Sequence, residues 1–155
     1  MSAEAEPFSL PTMATIAVES PDSAGHEADE LYADDGRSAR IAPTDRLVTA
    51  REAGHLIGIV RLCQESGEWM LRSLLVRADR RGRGIGAAML ARLERLIEQM
   101  AVSRIYCLAY RDLEDLYRGV GFDEIDPVKG PSFLRERMAE RGEEDPRERF
   151  ILLRR

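Results

Sequence analysis

The sequence predicts an α/β protein in which a mixed β-sheet carries helices on its faces. Three strand-like segments, separated by short turns that contain glycine, lie between residues 47 and 76. A long amphipathic helix pattern follows over Ile85–Met100, and shorter strand and helix patterns alternate from there to residue 155. A strand meander followed by alternating helices and strands is typical of a sheet packed between helical layers.

The sequence patterns that predict strands and helices are weakest near the N-terminus. Residues 1–12 are small and acidic and include Pro7 and Pro11, so we expect a flexible acidic leader that does not contribute to catalysis, with one domain over residues 13–155. Residues 14–19 form a short strand pattern. Pro21 and the two polar residues after it are typical of a helix start, and residues 24–33 continue that helix weakly.

The meander consists of predicted strands at residues 47–52, 55–64 and 68–76, with turns at Gly54 and Gly67. The last strand ends in Leu74, Leu75 and Val76. Because this end is apolar on both faces, we expect it to be a central strand of the sheet.

The helix over Ile85–Met100 places apolar residues at steps of three and four, with charged residues on the other side. Beyond it we predict a strand at residues 104–110 and a short helix at 113–118 that Gly119 and Gly121 close. A strand at 122–125, a charged helix at 131–141 and a final strand at 149–153 complete the domain.

Composition excludes several functional classes. The chain has 155 residues, a net charge of −5 and 33% charged residues, without an apolar run near the ~20 residues of a membrane span. Cys63, Cys107, His26 and His55 are isolated, so we expect neither a metal site nor a disulfide framework, and we expect a cytoplasmic protein. From Arg37 onward bases outnumber acids, but they are dispersed and lack interleaved aromatics, which disfavours nucleic-acid binding.

The most informative segment is a glycine-arginine loop, Arg80-Arg81-Gly82-Arg83-Gly84-Ile85-Gly86, between a strand and a helix. Glycines let backbone approach a ligand closely, and the unpaired N–H groups of a helix start favour an anion. A plain tight turn is the alternative. The loop lacks the Gly-Lys-Ser/Thr of a P-loop and is one residue shorter than a dinucleotide fingerprint.

Within this loop, residues 81–86 resemble the Gln/Arg-x-x-Gly-x-Gly/Ala signature of the GNAT superfamily of acyl-CoA-dependent N-acetyltransferases. Residues 116–122, Leu-Tyr-Arg-Gly-Val-Gly-Phe, look like the second signature of that superfamily, about thirty residues downstream. Ala78 departs from the proline of many members. The resemblance implies a GNAT-like fold, with a central mixed sheet of about six to seven strands and a splayed strand pair at the coenzyme A site.

The resemblance also implies how acetyl-CoA binds. The backbone amides of Arg81, Gly82, Arg83, Gly84, Ile85, Gly86 and Ala87 are expected to hold the pyrophosphate. The side chains of Arg80, Arg81 or Arg83 are candidates for the 3′-phosphate. The backbone of Leu74, Leu75 and Val76 is expected to pair with the pantetheine, and these residues can pack in the core at the same time.

Tyr117 is the candidate general acid, because members of the superfamily often carry a tyrosine at this position that protonates the leaving thiolate. A phenol is protonated at pH 7 and can supply that proton. The alternative is a tyrosine that only packs. Some relatives have a glutamate at the position of Met70 here. Glu68 lies two residues away on the same strand face and is the candidate base, with a solvated Glu68 and a water relay as alternatives.

Two hints about the acceptor conflict. Arg72 shares the strand face of Glu68, and Arg111 follows a strand at its expected cleft end, so either arginine is a candidate to bind a substrate carboxylate. The acids between residues 21 and 46, in the segment that usually walls the acceptor site in the superfamily, equally favour a cationic amine.

The predicted function is N-acetyl transfer from acetyl-CoA to a primary amine by direct attack in a ternary complex. A small molecule such as an amino acid or a polyamine is the favoured acceptor. The alternatives are a non-catalytic acyl-CoA-binding module and a protein or peptide N-acetyltransferase. We expect no metal, nucleic acid or membrane partner; a homodimer is an open possibility.

Overall fold

The computed structural model describes residues 14–144 and 150–155, so the predicted leader at residues 1–12 lies outside the described residues. The fold-class prediction is confirmed: a seven-stranded mixed sheet is flanked by helices. The strands are β1 (Thr15–Glu19), β2 (Arg46–Glu52), β3 (His55–Glu65), β4 (Glu68–Val76), β5 (Ile105–Tyr110), β6 (Asp123–Glu124) and β7 (Phe150–Arg154). The helices are α1 (Pro21–Asp34), α2 (Ile85–Met100), α3 (Glu114–Arg118) and α4 (Ser132–Glu144).

The sheet order is β1-β2-β3-β4-β5-β7-β6, and β4 with β5 is the parallel pair in a sheet whose other described pairs are antiparallel. The two strands pair only at their starts, where Trp69 lies opposite Ile105 and Met70 opposite Tyr106. Beyond Met70 they diverge, although β5 continues to pair with β7 as far as Tyr110. The predicted splayed strand pair is therefore present, at the centre of the sheet.

Helices cover both faces of the sheet. The apolar stripe of α2, including Met89 and Leu93, packs on one face with Leu71 and Cys107. Two helices cover the other face. The apolar side of α1 buries Ala24, Ala28, Leu31 and Tyr32, which recur at helical spacing. Helix α4 buries Leu134 against Met70 and Tyr106. The divergence of β4 from β5 thus opens a gap between two helical layers.

A β-bulge shapes β4 at this gap. Ile59 of β3 lies opposite Leu75, but Arg61 lies opposite Arg72, so β4 contains one residue more than β3 across this step. Ser73 there has φ +60°, a conformation that non-glycine residues seldom adopt. The hydroxyl of Tyr32 in α1 donates to the Ser73 carbonyl at 2.7 Å, which holds the bulge against α1.

The segment between α1 and β2 is fastened to the sheet by a buried ion pair. Arg61 Nη1 lies 2.7 Å from Asp45 Oδ2, and these side chains are only 6% and 2% exposed. Arg61 also donates to the Arg40 carbonyl at 3.1 Å, and the Ala42 amide donates to Asp45 at 3.0 Å. These bonds place residues 37–39 beside β4. No helix in the described part of the chain is long and apolar enough to cross a bilayer.

Candidate active site

A cavity of about 510 Å³ opens where β4 leaves β5. Its lining comes from both sides of the sheet, because it includes Leu71 and Tyr117 of the α2 core and Met70 and Leu108 of the cluster under α4. The polar side chains among its lining residues are those of Tyr32, Arg37, Ser38, Arg72, Ser73, Tyr110, Tyr117 and Arg137. The size is typical of a small-molecule site.

The glycine-arginine loop lies between the end of β4 and the start of α2. Gly82 and Gly84 both have φ +79°, which explains why the turn uses glycine at these positions. Gly84 is the N-cap of α2, and no side chain caps the helix there. The first N–H groups of an α-helix have no intrahelical partner and carry partial positive charge, so this exposed end is suited to an anion.

The three candidate arginines differ in availability. Arg80 pairs with Glu52 at 2.9 Å and with Asp79, also at 2.9 Å. Arg81 donates to the Val76 carbonyl at 2.8 Å and lies 3.1 Å from Asp35, so it braces the loop against the strand end. Arg83 is exposed and makes no hydrogen bond or ion pair with another described residue, although its charge contributes to lowering the pKa of Glu52. Its side chain is the most available for a phosphate.

The predicted pantetheine strand lies at the edge of the cavity. Leu74 lines it, the Leu75 side chain is buried against α1, and Val76 ends the strand next to Gly86, where an added Cβ would lie 3.9 Å from Val76 Cγ2. Because β4 does not pair with β5 beyond Met70, its backbone on that side pairs with no other strand, although Arg37 and Arg81 approach the carbonyls of Leu74 and Val76. Its pairing with pantetheine stays a prediction.

Tyr117 is 4% exposed and lines the cavity. Its ring packs edge-on against Phe122, with centroids 6.1 Å apart and planes at 73°. Its hydroxyl hydrogen-bonds the Cys107 thiol on β5, and burial, followed by the neighbouring Cys107, raises the pKa of the phenol well above its usual value. The side chain therefore packs and also presents a neutral hydroxyl at the opening. The general-acid role stays a prediction.

The pKa of the Cys107 thiol reflects how deeply this group is buried. Burial raises its pKa to about 12, against a smaller lowering effect of the Tyr117 hydrogen bond. Burial likewise raises the pKa of Cys63 to about 11. Neither thiol is activated as a nucleophile, because the thiolate is the reactive form.

Arg72 lines the cavity and lies 2.9 Å from Glu65 of β3. Arg137 of α4 joins it there, with its two terminal nitrogens 3.3 and 3.2 Å from the two oxygens of Glu65. At the other end Arg37 lines the cavity, pairs with Asp35 at 2.8 Å and approaches the Leu74 carbonyl. We call Arg37, Arg72 and Arg137 the arginine face.

Of the predicted site residues, Arg72, Leu74 and Tyr117 line the cavity, whereas Leu75, Val76 and the loop residues 81–87 do not. The predicted base Glu68 and the predicted acceptor residue Arg111 also lie outside the lining. Glu68 is the first residue of β4, opposite Glu65, and precedes the cavity residue Met70 by two positions, or about 7 Å along the strand. Arg111 is 52% exposed and pairs with Glu124 at 3.2 Å and with Glu114 at 3.7 Å. The structure does not bring either side chain to the opening, so their roles stay predictions.

Sequence reasoning did not identify Tyr32, Arg37 and Arg137. The sequence did indicate that Tyr32 is buried, because it lies four residues after Ala28 and eight after Ala24, on the apolar face of α1. The two arginines carried no such signal, because 22 of the chain's basic residues are arginine and nothing local marks these two. Within the described part of the chain no cluster of side chains is arranged to hold a metal ion.

These features agree with the comparison to known families. The family model of the acetyltransferase (GNAT) domain matches residues 17–135, which is more than half of the chain. The chain therefore belongs to the GNAT acetyltransferase family, as its two signatures predicted. No curated protein matches it closely enough to assign a closer relationship.

Solved structures show the same fold at low sequence identity. N-acetylglutamate synthase from Neisseria gonorrhoeae, complexed with coenzyme A and N-acetyl-glutamate, has a TM-score of 0.66 at 14% identity over 91% of this chain. The match spans only 35% of that larger chain. An acyl-CoA N-acyltransferase from Pseudomonas aeruginosa gives 0.65 at 15% identity, covering 91% of this chain and 99% of its own.

A third structure is diaminobutyrate acetyltransferase EctA from Paenibacillus lautus, in complex with L-2,4-diaminobutyric acid and coenzyme A. Its TM-score is 0.53 at 18% identity, with 68% of this chain and 74% of its own covered.

Proposed function

We propose that this protein transfers an acetyl group from acetyl-CoA to a primary amine of a small molecule, by direct attack in a ternary complex. The observation that carries the proposal is the β4–β5 opening, where Leu74, on the β4 edge that leaves β5, and Tyr117 line one cavity. The uncapped start of α2 follows β4 across the loop and lies outside this lining. The phosphates, the pantetheine and the thioester of acetyl-CoA match the start of α2, the edge of β4 and Tyr117, respectively.

Binding follows from charge and backbone geometry. The amides between Arg81 and Ala87 donate to the pyrophosphate. Arg83 meets the 3′-phosphate, because it is exposed and is the loop arginine that makes no hydrogen bond or ion pair with another described residue. The free edge of Leu74 to Val76 pairs with the pantetheine amide. This arrangement directs the acetyl thioester into the gap beside Tyr117.

In the chemical step the amine lone pair attacks the thioester carbonyl carbon. The oxygen gains the carbonyl electrons and is stabilised by a backbone N–H near Val76. The carbon–sulfur bond then breaks, the sulfur leaves with the bonding pair, and Tyr117 gives it a proton. The proton lost by the amine restores the phenol through water, so the products are an N-acetyl amine and the free thiol of coenzyme A.

The raised pKa of Tyr117 is compatible with this role. The same burial acts on any thiolate that forms there: the Cys107 thiol, which contacts Tyr117, has its pKa raised to about 12. A leaving thiolate in this environment is a stronger base than one in water, which offsets part of the raised pKa of the phenol. The phenol also stabilises the developing negative charge by hydrogen bonding.

The amine also has to lose a proton before it attacks. Since no carboxylate belongs to the described cavity lining, we propose that water in the open cavity accepts this proton. Glu68 is the alternative base, two residues from Met70 on the same strand face. A small-molecule acceptor is supported by the two structural neighbours complexed with amino acids or their acetyl derivatives.

The test is an acceptor panel. The protein is incubated with acetyl-CoA and, separately, with amino acids, polyamines and short peptides, while released thiol is monitored and products are identified by mass spectrometry. We expect one molecule of acetylated amine to form for each molecule of free thiol released. A protein that binds acetyl-CoA but acetylates nothing in the panel is instead the non-catalytic binding module, and selective acetylation of peptides makes it a protein N-acetyltransferase.

A further inference from the structure

We propose that the acceptor is an amine that also carries a carboxylate, and that Arg72 and Arg137 hold this carboxylate. The inference rests on the proposed acetyl transfer for its amine, but the carboxylate site itself follows from charges on the cavity wall. Such a carboxylate site would select amino acids over polyamines.

All charged side chains among the cavity-lining residues are arginines, namely those of the arginine face. The acids between residues 21 and 46, which suggested a cationic acceptor, do not belong to the described cavity lining. Two of them have partners elsewhere: Glu27 lies 2.9 Å from Arg51, and Asp45 is buried against Arg61. Asp35 pairs with Arg37 and Arg81 but does not belong to the lining. The wall therefore favours an anion.

Arg72 and Arg137 form a preorganised pair. Both bind one carboxylate, that of Glu65, at distances between 2.9 and 3.3 Å. Arg137 is also held over the Phe133 ring, with its guanidinium carbon 5.5 Å from the ring centroid. Glu65 does not line the cavity whereas the two arginines do, so it fixes them from behind. One carboxylate neutralises one of two guanidinium charges and leaves donors for a second carboxylate.

The surrounding field has the same sign. Arg61, directly across from Arg72 in the sheet, is buried and paired with Asp45 alone among the acids. Arg37, Arg72 and Arg137 line the cavity, whereas the carboxylates that pair with them, those of Asp35 and Glu65, do not. A net positive wall attracts a carboxylate and repels a polyamine, so the same charges favour one class of acceptor and disfavour the other.

The spacing fits one small molecule. Arg72 and Leu74 flank Ser73 at the bulge and both line the cavity, and Leu74 lies on the β4 edge where the thioester is expected. A carboxylate on Arg72 therefore leaves an amine of the same molecule near the opening. Bidentate contact from two arginines supplies the orientation that the attack requires.

The experiment compares matched acceptors in binding and in turnover. Calorimetric titration of coenzyme A-saturated protein uses the twenty L-amino acids, then the α-amides of those that bind, and spermidine. We expect at least one amino acid to bind, its amide to bind at least ~10-fold more weakly, and spermidine not to bind. The same preference is expected in thiol release from acetyl-CoA.

Three variants locate the carboxylate. Arg72→Gln and Arg137→Gln are expected to raise the dissociation constant of the bound amino acid at least ~10-fold without changing that of coenzyme A, and Arg72→Lys is expected to restore part of the loss. Arg135→Gln is the control: this exposed arginine on the same helix donates to the Val128 carbonyl and lies outside the cavity lining. Melting temperatures confirm that each variant is folded.

The outcomes separate the two proposals. An amino acid that binds through Arg72 and Arg137 without any thiol release supports the carboxylate site and contradicts acetyl transfer. Acetylation of amides or spermidine as efficiently as of amino acids contradicts the carboxylate site and leaves acetyl transfer intact. Failure of every amino acid to bind, or normal binding by both glutamine variants, likewise overturns the carboxylate site.

Discussion

The glycine-arginine loop and the arginine face are both suited to anions, but they are built differently. The loop is one contiguous segment that offers mainly backbone N–H groups at the start of α2. The arginine face draws one side chain each from the segment after α1, from β4 and from α4. Backbone amides recognise a phosphate wherever the loop forms, whereas the three guanidinium groups converge only when three remote elements pack together.

This difference separates a general function from a specific one. The local motif identifies the family and is proposed to bind the cofactor. The side chains brought together by tertiary packing are proposed to select the acceptor. We therefore expect substitutions in the two regions to affect different substrates.

The largest effect is expected at Gly84. In Gly84→Glu a carboxylate stands at the uncapped start of α2, where the pyrophosphate is proposed to bind, so coenzyme A affinity should fall at least ~100-fold. Calorimetric titration of the folded variant measures this. Unchanged affinity would remove the loop from the cofactor site.

Gly84→Ala is the matched control. Nothing lies within 4 Å of an added Cβ, so alanine introduces only the strain of φ +79°. That strain costs roughly 1–2 kcal/mol of stability, and coenzyme A affinity should fall far less than in the glutamate variant. Equal losses in both variants would mean that backbone conformation, not charge, causes the effect.

A substitution in the buried Asp45–Arg61 pair tests the arginine face. Asp45→Asn leaves a buried guanidinium without its counter-charge, which is expected to cost about 3 kcal/mol in the free energy of unfolding measured with urea. Because this pair fastens the segment that carries Arg37, the acceptor KM should rise in the folded variant while coenzyme A affinity is kept.

Asp115→Asn makes the same chemical change in an exposed pair, in which Asp115 is 96% exposed and lies 3.6 Å from Arg118. Its melting temperature should stay close to that of the unsubstituted protein. An Asp45→Asn variant as stable as this control would show that the buried pair does not anchor the segment.

A smaller effect is expected at Glu52. Its carboxylate binds Arg80 through two hydrogen bonds, at 2.9 and 3.1 Å, and the hydrogen bond to Arg80 holds the pKa of Glu52 below its usual value. Glu52→Gln removes one of the two carboxylates that pair with Arg80, so the region next to the loop becomes more positive. We expect coenzyme A to bind about two- to threefold more tightly at low salt, with the gain screened at high salt. Weaker binding would show that Glu52 instead orients Arg80 for the ligand.

Local signals were sufficient to predict most of the fold. Alternating apolar residues located β2, β3 and β4 to within a residue or two, and the apolar steps from Ile85 located α2. The predicted strand at 122–125 is only Asp123–Glu124, and the predicted helix at 131–141 extends to Glu144. These differences lie at element ends, where tertiary contacts decide the boundary.

The bulge at Ser73 could not be predicted, because serine at φ +60° has no local signature and depends on the hydrogen bond from Tyr32, 41 residues away. The convergence of Arg72 and Arg137 on Glu65 likewise links distant positions. The loop and Tyr117 were identified because each belongs to a contiguous motif.

The central claim is that the cofactor and the acceptor meet at the β4–β5 opening, with Tyr117 as the acid. Tyr117→Phe keeps the ring against Phe122 and removes the hydroxyl that contacts Cys107. The fold and the acetyl-CoA affinity should survive. Because the raised pKa keeps the phenol protonated, the rate of the unsubstituted protein should also show no decline through pH 10 from loss of this proton.

The most direct measurement is the single-turnover rate of acetyl transfer in Tyr117→Phe, with acetyl-CoA bound before the acceptor is added, so that product release does not limit the rate. General acids contribute roughly 10²–10⁴-fold, and water in an open cavity replaces part of this. We predict a rate at least ~10-fold below that of the unsubstituted protein, with the dissociation constant of acetyl-CoA unchanged. An undiminished rate would show that Tyr117 only packs and would contradict the proposed chemistry at the opening.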